Sequence, residues 1–217
     1  MDLSSKYMFS ILIAVVIVSG IGIGYVIQHP NMADNDQTPI GTSDGVYHLT
    51  LVITTDNFFN STTDQPAFYV LHNGSLVSSA NIVLPSDTVI ETTIVNYDDG
   101  NASTPAIYEK VTGTVGNQVT VVNNTLINST QTNNGISIQG AWATSNVPLS
   151  DIAHTFTVNG INLNVPIVIS SVEQFSFVTG GPGSYTWQCY AACGSGNSGW
   201  QDAMSTPGWM TGTVTIQ

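Results

Sequence analysis

The 217-residue chain contains no arginine and only two lysines, Lys6 and Lys110, against fourteen acidic residues. A net charge of −12 excludes the clustered positive charge with which proteins grip nucleic acid, so no nucleic-acid partner is expected. Charge of either sign is scarce, at 7% of residues, and solubility must come from Ser, Thr, Asn and Gln. No Ser-His-Asp pattern, paired metal-binding histidines or phosphate loop is recognisable, which disfavours an independent enzyme. After residue 28 there is no long stretch at helical spacing, which excludes a helix bundle. Low charge does not mean disorder, because 42% of the residues are hydrophobic and β-branched residues occur throughout.

One long run lacks charge altogether. From Tyr7 to Ile27 no residue is ionisable apart from the tyrosines, and a helix needs ~20 apolar residues to cross a hydrocarbon core. Lys6 lies on the N-terminal side, so a single-pass anchor over 1–27 with a cytoplasmic N-terminus is expected, the rest of the chain being exterior. The alternative is a cleaved signal peptide, but the run exceeds an ordinary signal core and Ser19-Gly20 is a faint cleavage cue. Residues 28–45, with Pro30, Asp34, Asp36, Pro39 and Gly41, read as a tether without apolar periodicity.

Residues 46–217 are long enough for one well-cored exterior domain. Short alternating runs with turn signals between them predict an all-β fold, a β-sandwich. The runs are Tyr47–Thr54, Pro66–Leu71, two within Ala80–Gly100 broken at Pro85-Ser-Asp, Ile136–Trp142, Ala153–Val158, Ser184–Cys189 and Thr211–Ile216. Residues 101–134 read as a solvent-facing insertion, with a hairpin at Glu109–Val115 and Gln118–Val122. Five Asn-x-Ser/Thr sequons, at Asn60, Asn73, Asn101, Asn123 and Asn128, predict N-glycosylation, three of them in that insertion and facing away from any docking surface. An exterior domain so poor in charge suits an acidic medium, where carboxylates with pKa ~4 become protonated. An acidophilic archaeal source would fit.

The chemistry-bearing stretch is C-terminal. Ser184-Tyr-Thr-Trp-Gln-Cys189 and Thr211–Ile216 alternate as strands around a Gly-rich loop that holds both cysteines, with Trp200, Trp209, Met204 and Met210 nearby. Thiolate and thioether sulfurs are soft ligands of the kind copper prefers. Upstream, His154, Phe156 and Val158 share one strand face. The two cysteines admit three readings: a structural disulfide, which would close only a small loop; ligands, with His154 and Met204 or Met210, for one copper(I); or the remnant of a site that has lost its metal. His29, His48 and His72 have no partner at ligand spacing.

Cys189-x-x-x-Cys193-Gly resembles the cysteine loop of the binuclear copper centre in subunit II of haem-copper terminal oxidases, which runs Cys-x-x-x-Cys-Gly-x-x-His-x-x-Met with a further His from an earlier strand. Here the later His position is Asn197 and the Met position is Trp200, while His154 matches the upstream His. Residues 80–100, with their Leu-Pro turn and Asn96-Tyr-Asp-Asp-Gly exit, resemble early strands of cupredoxins. The resemblance implies a cupredoxin-like Greek-key sandwich behind one transmembrane helix, with an incomplete copper motif. It further implies a non-catalytic subunit, of the quinol-oxidase type, capping membrane-embedded partners that include a haem subunit. No resident cofactor is then expected, copper being the one metal the donors would take. A stand-alone copper electron carrier and a structural cell-surface glycoprotein remain as other readings.

Overall fold

β5 (Val89–Asn96) shows the physical rule that builds this domain: Ile90, Thr92, Ile94 and Asn96 are buried while the residues between them are exposed or half-buried. Period-two burial of this kind puts one face of a strand on a core and leaves the other toward water. The computed structural model describes residues 45–55, 65–123, 128–132, 135–139, 141–194 and 202–217. The expected anchor and most of the tether therefore lie outside the described residues, and none of the described helices is long and apolar enough to cross a membrane.

Before β5 come β1 (Val46–Thr54), β2 (Ala67–His72), β3 (Ser75–Ser78) and β4 (Asn81–Leu84); after it come β6 (Val119–Asn123), β7 (Asn128–Thr132), β8 (Gly135–Gln139) and β9 (Ala141–Thr144). The C-terminal half supplies β10 (Ile152–Val158), β11 (Leu163–Val168), β12 (Ser171–Val178), β13 (Gly183–Gln188) and β14 (Thr211–Ile216). A seven-stranded sheet has the order β3-β2-β1-β5-β12-β6-β9, and a five-stranded sheet has the order β11-β10-β13-β14-β4. β7 and β8 pair only with each other. The all-β expectation holds, and the first, second, fourth, fifth, tenth, thirteenth and fourteenth strands fall where alternation placed them.

Both sheets bury their inner faces in one main cluster, which includes Leu51, Phe68, Ile94, Phe156, Phe175, Trp187 and Ile216. Trp187 is fully buried and packs against Phe68 at 5.0 Å and Phe156 at 5.8 Å between ring centroids. Its indole N–H donates to the Ser79 carbonyl at 2.9 Å, so the one polar atom of the largest core residue is satisfied. Gly212 faces it across the β13–β14 pair. A Cβ there would meet the indole nitrogen and come within 2.7 Å of the Ser79 carbonyl oxygen, so the strand needs glycine at this point.

Two expectations are corrected. Residues 101–134 are not a solvent-facing insertion throughout: β6 lies between β12 and β9, and Val111, Val119 and Val121 belong to the core. Of the hairpin expected at Glu109–Val115 and Gln118–Val122, the second arm forms as β6 but pairs with β9 and β12. The first arm makes only two isolated bridges, Lys110 with Asn146 and Thr112 with Asn164, before a short 3-10 turn. Long-range partners thus captured valines whose local pattern looked like a self-contained hairpin. Alternation also missed β3, β11 and β12, the last of which runs antiparallel to both β5 and β6.

Candidate metal centre

The site forms at one end of the sandwich, where the exit of β5, the start of β10 and the exit of β13 come together. All seven residues of β10 are buried, so the strand cannot alternate between core and water. His154 and Phe156 face Phe68, at ring-centroid distances of 6.0 and 6.3 Å. On the other side Thr157 donates to the Asn164 side chain at 2.6 Å, and the Tyr190 N–H donates to Thr155 Oγ1 at 2.8 Å. The first of these faces carries the imidazole into the core, as the sequence pattern predicted.

The cysteine loop is held by its backbone. Cys189 N–H donates to the Met210 carbonyl at 2.8 Å and Ala192 N–H to the Ser103 carbonyl at 2.9 Å. Tyr190 stacks on Tyr108 with centroids 4.2 Å apart and planes 9° from parallel. These contacts fix both sulfurs against β10. The Cys189 and Cys193 sulfurs are 3.3 Å apart and unbonded. His154 Nδ1 lies 3.0 Å from Cys193 Sγ, and the Thr155 N–H donates to Cys189 Sγ at 3.4 Å. One donor atom from each of His154, Cys189 and Cys193 lies within 4.8 Å of the others, and all three residues are buried.

His154 Nε2 is 3.1 Å from Asp98 Oδ2. Asp98 follows β5, and its other carboxylate oxygen accepts the Gly100 N–H at 2.8 Å. Burial acts to raise the Asp98 carboxyl, but the His154 hydrogen bond and charge and the Gly100 N–H outweigh it and hold the group below the usual range. Burial likewise opposes charge on His154; hydrogen bonds to Asp98 and to the Cys189 sulfur, with their charges, nevertheless push it up to about 9. For Cys189, burial is outweighed by hydrogen bonds from Cys193 and His154 and by the histidine's charge, so its thiolate is favoured. Cys193 is driven the other way, chiefly by its hydrogen bond to Cys189 and by burial. The imidazole is nearer Cys193, yet the charge settles on Cys189. At such separation the charge belongs to the pair, which holds one thiolate and one thiol.

The donors fit a single copper ion. Two sulfurs and an imidazole nitrogen are a soft set suited to copper(I). The histidine also has its second ring nitrogen on a carboxylate, the usual way a ligand histidine is oriented. A two-copper centre does not fit, because one imidazole alone accompanies the sulfurs among the described residues. A cleft of about 230 Å³ opens onto the group, lined in part by Thr55, Pro66, Asp98, Asn101, His154 and Cys193.

The other expected site residues fall as follows. Met204 is half-buried against the core and is not part of the cleft lining; its carbonyl accepts from the Gln188 side chain at 3.2 Å. Met210 is fully buried. His48 is exposed and 3.4 Å from Glu91, and His72 contacts only its neighbour Asn73 among the hydrogen bonds described. His29, Asn60, Asn197 and Trp200 lie outside the described residues. Asn73 is exposed, while Asn123 and Asn128 end β6 and begin β7. Asn101 is exposed but sits on the rim of the cleft, which corrects the expectation that every sequon of 101–134 faces away from the site. Asp98 went unrecognised in the sequence: it reads as a turn residue and meets His154 across 56 positions.

No family model matches the chain, and no curated protein matches it. Among solved structures it is similar to a chain of a haem-copper terminal oxidase dimer studied by cryo-EM, at 12% identity over 98% of this chain and 92% of that one, TM-score 0.39. It is also similar to reduced rusticyanin, at 10% identity over 81% and 82%, TM-score 0.32. Rusticyanin from Thiobacillus ferrooxidans is similar at 12% identity over 81% and 79%, TM-score 0.32. At these TM-scores the likenesses carry no weight for the chemistry of the site.

Proposed function

We propose that this chain is a cupredoxin-like subunit of a respiratory terminal oxidase, anchored by residues 1–27 with its N-terminus cytoplasmic and its β-domain outside. In this reading it caps the exterior face of a haem-containing membrane subunit and binds one copper(I) at His154, Cys189 and Cys193. The observation that carries the reading is the gathering of those three soft donors within 4.8 Å at the end of a β-sandwich. A single imidazole beside two sulfurs does not complete the two-copper entry port that the loop resembles. Electrons would then reach the complex from a membrane quinol and bypass this domain. Bound copper(I) would supply a soft cross-link between β10 and the cysteine loop. Around it, Asp98 would hold the proton on His154 Nε2 and leave Nδ1 to the metal, and the Thr155 N–H would steady the Cys189 sulfur.

A second reading, a stand-alone copper electron carrier, is favoured by the same preassembled donors. Metal content and visible spectrum of the detergent-solubilised chain, reduced and oxidised, separate the two. One copper per chain without an intense visible band on oxidation, and co-purification with a haem subunit, support the capping subunit. A reversible charge-transfer band that a Cys189→Ser variant loses makes the chain an electron carrier. Neither copper nor a haem partner refutes both and leaves a structural surface glycoprotein.

A further inference from the structure

The least expected group in the core is a carboxyl. Glu173 is fully buried on β12, opposite Ile94 on one side and Val121 on the other, two residues of the apolar core. Its Oε1 accepts the Val168 N–H at 2.7 Å. Its Oε2 has no hydrogen-bond partner among the described residues. A buried acid so placed is costly and calls for a reason.

That reason lies where β10 meets β11. Ile152 pairs with Val168 but His154 pairs with Ile167, so Ala153 is an extra residue and the strand bulges immediately before the histidine. Bulges re-aim the side chains next to them and disturb the ladder locally. Here the Ile152 carbonyl is taken by the Ala102 N–H at 2.9 Å, and the Val168 N–H turns to Glu173. The Val168 carbonyl accepts the Asn96 side-chain amide at 2.9 Å. Asn96 Oδ1 accepts the Asp98 N–H at 3.1 Å, and Asp98 holds His154 Nε2. A continuous series of hydrogen bonds therefore runs from Glu173 through Val168, Asn96 and Asp98 to the imidazole.

We propose that Glu173 is a positioning residue for His154: by receiving the Val168 N–H that the Ala153 bulge displaces, it fixes the bulge and the Asn96–Asp98 turn that aims the histidine at Cys189 and Cys193. For metal affinity this rests on the copper reading of the site; for the orientation of the ring it does not. Removing the acceptor would leave the Val168 N–H buried and unpaired, and the bulge would relax to recover a partner. Burial pushes the Glu173 carboxyl up to about 8, so the acid can stand in the core without a buried charge.

The test uses the full chain in detergent with ¹⁵N-labelled histidine, free of metal, and variants Glu173→Leu and Asn96→Ala, with Glu173→Gln as the control that keeps an acceptor oxygen. Wild type and the Gln control should show one ordered His154 ring whose Nε2 proton, held by Asp98, exchanges slowly. In folded Glu173→Leu, and in Asn96→Ala should the former not fold, that proton should exchange rapidly and its resonance shift. Copper(I) affinity, read by chelator competition, should fall ~10-fold in the same variants. A purely structural Glu173 would lower the melting temperature and leave the imidazole resonances alone, and that outcome overturns the proposal. If wild type binds no copper(I), the copper reading fails, while the metal-free resonances still decide the positioning role.

Discussion

The burial of Glu173 should make this protein more stable in acid than at neutral pH, and replacing one side chain should remove much of that dependence. Folded, the carboxyl titrates at about 8; its ordinary value is 4.5. Above pH 4.5 the unfolded chain releases a proton that the folded chain keeps, so each further rise in pH favours unfolding. The contribution is complete below 4.5, is lost as the pH climbs through about 8, and is flat beyond. The gap between the two values, at ~1.4 kcal/mol per tenfold change in proton affinity, amounts to about 5 kcal/mol at most. Water penetration and relaxation around an ionised buried acid would reduce it to about half that size, still a large part of the ~5–15 kcal/mol that holds a domain folded. Urea unfolding of the full chain in detergent, followed by tryptophan fluorescence, measures it across pH 4.5 to 8. Glu173→Gln supplies the comparison, because the other carboxylates and the histidine–cysteine group titrate alike in both proteins and cancel. Wild type should outlast the Gln variant by a margin that shrinks as pH rises. A margin independent of pH would refute the reasoning, since an uncharged glutamine cannot copy a titrating acid.

Other outcomes follow from the same contacts. Trp187→Ala removes a fully buried ring and orphans the Ser79 carbonyl; a loss of ~3–5 kcal/mol in unfolding free energy is expected. Gly113→Ala places a Cβ 2.5 Å from the Asn162 carbonyl oxygen at a backbone φ of +75°, so melting should drop by several degrees, corresponding to ~1–3 kcal/mol. Cys189→Ser should abolish tight copper(I) binding in chelator competition, whereas His48→Ala, at an exposed position beside Glu91, should leave it unchanged. Asp98→Asn keeps the size of the side chain but loses its charge, and copper(I) affinity should fall ~10–100-fold with little change in the circular dichroism spectrum.

Much of this protein was legible in one dimension. Strand identity survives in alternation, so β5 with its buried Ile90, Ile94 and Asn96 could be read without a structure. The apolar run at Tyr7–Ile27 and the absence of arginine are facts of composition and need no fold. His154, Cys189 and Cys193 stood out because soft donors are few, and alternation already gave the strand face of His154. Tertiary structure alone decided which of these donors meet: loop contacts such as Ala192 with Ser103 carry the sulfurs to β10, while Met204 stays at the edge of the core. The same holds for Val119 and Val121, whose place beside β12 depends on a partner about fifty residues further on. Asp98 and Glu173 are the clearest cases. Each is an unremarkable acid in the sequence, because what makes it functional is a backbone amide or imidazole that only the folded chain brings within hydrogen-bond reach. Periodicity records which way a residue points; it holds no record of what lies opposite, and the site is made of such encounters.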